Sequence, residues 1–149
     1  MVYVILYPNH FLAFYQEGDY KNEFLTQRII IAYDKAIEFM ELAIEAIDTG
    51  LDKIDNLIKK CECITKATEA VAILHDSLNF EKGGQVAKDL SNFYKVILEG
   101  LLIADQKNDK ELLQNMIMML SGVEQAWEEL ERREYGSKSI ATEKAAPSV

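Results

Sequence analysis

The sequence predicts an all-α, antiparallel up-down four-helix bundle preceded by an apolar N-terminal arm. Three observations predict it. Apolar residues recur at steps of three and four along four long stretches, the spacing of one helix face. No stretch alternates apolar and polar residues at the period of a strand. Short groups of Gly, Asn and Asp separate the four stretches, and connections that short favour antiparallel neighbours.

The first helix is expected over residues 20–48, with Ile29, Tyr33, Ile37, Met40, Ile44 and Ile47 on one face. Asp19 or Thr26 suits its N-cap, and Thr49-Gly50 its end, because glycine accepts the left-handed conformation that closes a helix. The second is expected over 51–78, with Ile54, Ile58, Cys61, Ile64, Thr68, Val71 and Leu78 in line. The Gly83-Gly84 pair then marks a turn. A third helix over 84–107 carries Val86, Leu90, Phe93, Ile97, Leu101 and Ala104. Asn108-Asp109 makes the next turn, with Asp109 as N-cap of a fourth helix over 110–135. Its stripe is Leu113, Met116, Leu120, Val123, Trp127 and Leu130. Gly136 is read as its stop and 136–149 as a disordered tail, small and polar in composition. Residues 1–19 form the arm, rich in Val, Ile, Leu, Tyr and Phe but broken by Pro8. An arm so apolar is expected to pack across the bundle. Its apolar run is too short for a membrane span and lacks the basic start of a signal peptide, so a cytoplasmic protein is expected.

Composition narrows the function. The 149 residues suffice for one domain with a core that needs no disulfide or metal. A net charge of −9 without a segregated basic patch argues against nucleic acid and anionic membrane as partners. Cys61 and Cys63 stand two apart in a helical pattern, on different faces, and are read as reduced thiols. The two histidines, His10 and His75, lack the Glu-x-x-His spacing of a bundle metal site, and Gly83-Gly84 lacks the Lys that completes a phosphate loop. No catalytic role, metal or cofactor is expected.

What remains is more apolar surface than a bundle requires. The third helix is apolar nearly all round from Val96 to Ala104, with Val96, Gly100 and Ile103 as a second stripe. The fourth carries Met116, Ile117, Met118 and Met119, and methionine is common on surfaces that accept partner helices. Val96, Gly100, Ile103, Ile117 and Met118 are therefore the candidate partner-binding residues, and Tyr33, Phe93, Tyr94 and Trp127 are assigned to the core.

Three stretches resemble the FliS family of flagellar export chaperones. Residues Ile29 to Phe39 are similar to its helix-one signature, an aliphatic run leading to a tyrosine and an acidic residue. Ser77 to Ala87, with the double glycine and then Leu90 to Tyr94, resembles its helix-two to helix-three passage. Ala104 to Asp109 and Trp127-Glu128-Glu129 resemble the turn before helix four and the tryptophan near its end. The resemblance covers about Arg28 to Leu130. Three features depart from it: Glu23 to Thr26 lacks the usual serine-proline pair, the long apolar arm replaces the family's usual start, and Asn79 replaces a common aspartate. The resemblance implies a chaperone that binds the C-terminal segment of flagellin, blocks premature polymerisation, and delivers the complex to the type III export apparatus, with the export gate protein FlhA as a second partner. A self-associating bundle, such as a homodimer without a flagellin client, is the alternative.

Overall fold

The computed structural model describes the backbone of residues 22–145 and the side chains of 26–134. Four helices follow in order: α1 (Asn22–Thr49), α2 (Ile54–Asp76), α3 (Phe80–Lys107) and α4 (Lys110–Ala145). The arm, Asp19 and the last four residues lie outside the described residues.

The turns follow the local chemistry of their residues. Gly50 closes α1 at φ 123°, a region that favours glycine. Asn79 caps α3 by accepting a hydrogen bond from the Lys82 N–H at 3.0 Å. α3 therefore starts four residues before the predicted Gly84, and the double glycine appears as a kink inside it, with Gly84 at φ 54°, ψ −128°. Asn108 ends α3 in the left-handed region, and Asp109 accepts from the Leu112 N–H at 3.0 Å, capping α4 as expected. α2 is shorter than predicted, because Leu51 to Lys53 form a turn before it. α4 is longer: its backbone stays helical through Gly136 to Ala145, across most of the stretch assigned to the tail.

Contacts between the helices fix their directions. Lys110 at the start of α4 pairs with Asp48 at the end of α1 (2.9 Å), while Glu124 farther along α4 meets Asp34 near the middle of α1. Lys60 early in α2 meets Asp105 late in α3, and His75 late in α2 meets Ser91 early in α3. Lys66 of α2 lies over the Phe39 ring of α1, and Lys59 approaches Glu45. Each of these neighbouring pairs runs antiparallel.

The core holds Tyr33, Met40, Val71, Leu90, Tyr94, Ile97, Leu101, Leu113, Leu120 and Trp127. The predicted stripes of α3 and α4 point inward, and so do Ile29, Tyr33 and Met40 of α1. The α2 stripe needs correction. Ile54, Ile58 and Cys61 are exposed, and the buried line is Lys60, Cys63, Ile64, Ala67, Val71 and Leu74. Small residues explain the shift. Ala36 and Ala43 flank Phe39 at i−3 and i+4 on α1, and Cys63 and Ala70 flank Lys66 in the same way on α2. Side chains this small let the two helices approach closely. Burial there raises the Cys63 thiol pKa, which keeps it protonated and unreactive.

Lys60 is the one lysine buried among the described residues, and its Nζ donates to the Asp105 carboxylate (2.8 Å) and to the Asp105 carbonyl (2.9 Å). The ammonium thus meets the negative end of α3. Asp105 remains partly exposed, so the two partners are unequal. Lys60→Met keeps the apolar stem and leaves a carboxylate that water can reach, and is expected to change stability by about 1 kcal/mol or less. Asp105→Ala leaves the buried ammonium without its carboxylate, with only the backbone carbonyl to accept from it, and is expected to cost about 2 kcal/mol. Urea unfolding of both variants checks the order.

Candidate functional site: the two apolar flanks of helix three

α3 buries one face and leaves apolar residues exposed on both sides of it. Gly100 marks the side facing α4, since it packs against Met116. Val96 and Ile103 stand at i−4 and i+3 from Gly100 and so share that flank. They are 54% and 43% exposed. Asp105 marks the side facing α2, through Lys60. Leu98 and Leu102 share this second flank, Leu102 being 60% exposed.

The α2-facing flank is a groove. A cavity of about 280 Å³ lies there. Leu98, Leu101 and Leu102 line it from α3, and Ile64, Thr65, Thr68 and Ala72 from α2. Glu69 and Asp105 add acidic groups. Apolar walls with acidic edges suit an amphipathic helix that carries basic residues beside its apolar stripe.

The five predicted binding residues do not form one surface. Val96 and Ile103 are exposed on the α4-facing flank of α3 as expected. Gly100 is buried beneath that flank, where its missing side chain admits Met116. Ile117 is half-buried and packs against the core. It stands seven residues from both Lys110 and Glu124, which meet α1, so it lies on the α1 side of α4, away from Val96. Met118 is 72% exposed and points outward. Met119, three residues after Met116, is the methionine on the α3 side, and it is 40% exposed. Leu98, Leu102 and Met119 were absent from the predicted set. The all-round apolar run of the third helix held the signal for the two leucines.

Elsewhere the polar groups serve the fold. The Tyr33 and Tyr94 hydroxyls share a 2.7 Å hydrogen bond in the core, and burial, then Tyr94, push the Tyr33 pKa well above its ordinary value. His75 Nε2 bonds Ser91 Oγ at 3.0 Å and links α2 to α3. Among the described residues, no three His, Cys, Asp or Glu side chains gather as a metal site, and no helix is long and apolar enough to cross a membrane.

The family model described as Flagellar protein FliS matches residues 9–134, which takes in α1 to α3 and most of α4. The chain belongs to the FliS family. Three flagellar secretion chaperones named FliS are similar to it. The Vibrio cholerae protein is 29% identical over 65 residues, which cover 44% of this chain and 48% of that one. The Campylobacter jejuni protein is 34% identical over 70 residues, covering 46% and 55%, and the Salmonella typhimurium protein 33% over 57, covering 38% and 42%. The chain thus spans about half the length of the curated FliS relatives it matches.

Proposed function

We propose that this chain is a flagellar export chaperone acting in the cytoplasm. It holds the C-terminal segment of flagellin as an amphipathic helix, keeps it from polymerising early, and hands it to the flagellar type III export apparatus through FlhA. The observation that carries this reading is the FliS match across 9–134, the helices that leave both flanks of α3 apolar and uncovered. The relatives' shared description as secretion chaperones supports the client class. The client surface comprises Val96, Ile103 and Met119 on one flank and Leu98 and Leu102 on the other, with Met118 at its edge. Gly100 sets the spacing beneath the first flank, and Ile117 supports α4 from the α1 side.

The test is calorimetry with a flagellin C-terminal peptide. Burial of apolar surface predicts binding with a negative heat-capacity change. Leu102→Asp and Ile103→Asp, both at exposed positions, are expected to weaken binding at least about tenfold, a loss of about 1.4 kcal/mol each, with far-ultraviolet circular dichroism unchanged. No wild-type binding at tens of micromolar peptide would refute the reading. Unfolding of Ile103→Asp would place that residue in the core and leave Leu102→Asp to decide.

A further inference from the structure

The α1–α4 seam holds a carboxyl group where apolar contact would be expected. Glu124 is only 8% exposed, and its Oε2 is buried with no hydrogen-bond partner. The group it meets across the seam is another acid, Asp34 of α1. Two carboxylates repel each other. A hydrogen bond between two carboxyl groups requires a proton on one of them. Glu128, one turn farther along α4, adds a second negative charge. Tyr33 of α1 also feels Glu124, and Tyr94 of α3 reaches the seam through its bond to Tyr33. None of these groups supplies a positive charge.

We propose that Asp34 and Glu124 form a proton-held clasp across the α1–α4 seam, closed while the two carboxyls share one proton and loosened when that proton leaves. The clasp sits beside Tyr33, Tyr94 and Trp127, aromatic residues of the core at the middle of α1. Its release loosens the contact between α1 and α4. The clasp is read from stability without any client present, so its failure and the failure of the client reading are distinguishable.

The direction of the pH effect follows from the protons bound. Burial first, then the hydrogen bond with Asp34 and the charges of Asp34 and Glu128, raise the Glu124 carboxyl from 4.5 to about 8. Between those values the folded chain keeps a proton that the unfolded chain has released. Stability contributed here is full below the unfolded value and falls as pH rises, until the loss is complete above about 8.

Thermal unfolding between about pH 6 and 9 tests the clasp, in a window above the ordinary carboxylates and below the tyrosines and lysines. The wild-type midpoint is expected to fall by several degrees across it. Glu124→Gln removes the titrating group, so its profile should be nearly flat, whereas Asp34→Asn leaves Glu124 buried and removes only its acidic partner, so its profile should be shallower than that of the wild type. Carbon-13 spectra of the wild type should show one glutamate carboxyl titrating near pH 8. Parallel profiles for all three proteins, or no glutamate titrating above about pH 6.5, would overturn the clasp. Where one variant fails to fold, the other and the wild-type carboxyl titration still decide.

Discussion

Trp127→Ala is expected to lower the unfolding free energy by about 3–5 kcal/mol, the range for removing a fully buried large aromatic. Trp127 has no exposed surface, and its indole lies beside the buried Tyr33 hydroxyl in the core. A domain of this size is stable by about 5–15 kcal/mol, so the variant stands close to unfolding at body temperature. Its thermal midpoint is expected to fall by about 10–20 °C. Trp127→Phe keeps most of the volume and is expected to lose less than half as much. Circular dichroism is the suitable probe for the alanine variant, because Trp127 is the chain's sole tryptophan and fluorescence disappears with it. A loss below about 1 kcal/mol would mean that the site collapses around the missing ring.

Trp127 also shows why much of this fold is legible in the sequence. Its stripe, from Leu113 to Leu130, keeps one helical period for almost five turns, and every predicted member is buried. α2 resists the same reading. Ile54, Ile58 and Cys61 lead a line that drifts around the helix, and a second line through Cys63, Ala67 and Leu74 has equal claim on periodicity. The second is the buried one, because its small Cys63 and Ala67 let α2 come close to the alanines of α1. Close packing of this kind depends on the partner helix, and the hydrophobicity of α2 alone does not contain it. Lys60 illustrates the point further: a lysine reads as surface until Asp105, 45 residues away, comes within 2.8 Å.

The candidate site was legible in kind more than in detail. An apolar run from Val96 to Ala104 announces surplus surface on the third helix. Which residues share a flank depends on where α2 and α4 sit, and that arrangement is tertiary. Met118 and Met119 differ by one position and about 100° around the helix, so one projects into solvent and the other toward α3. The Asp34–Glu124 pair was hidden for the same reason. Both acids fit a solvated polar face until α1 and α4 are brought together.

Gly100 sets two effects of opposite sign against each other. Alanine in place of a mid-helix glycine gains about 1 kcal/mol of helix propensity. A Cβ at Gly100 would also overlap Met116 Sδ, with Met116 Cε at 3.4 Å and Cγ at 3.6 Å. Met116 is buried between the helices, so its sulfur yields only by displacing its neighbours. Overpacking of this kind costs about 1–3 kcal/mol and outweighs the propensity gain. Gly100→Ala is therefore expected to be destabilising by up to about 2 kcal/mol, and Gly100→Leu by about 3 kcal/mol or more, because a larger side chain forces α3 and α4 apart. The sign should reverse once the obstruction is removed. In a Met116→Ala background, Gly100→Ala is expected to raise stability by about 1 kcal/mol, leaving propensity as the surviving effect. A double-mutant cycle followed by urea unfolding measures the coupling. If Gly100→Ala stabilises the wild type as well, Met116 rearranges freely, and the closeness of α3 to α4 does not depend on glycine.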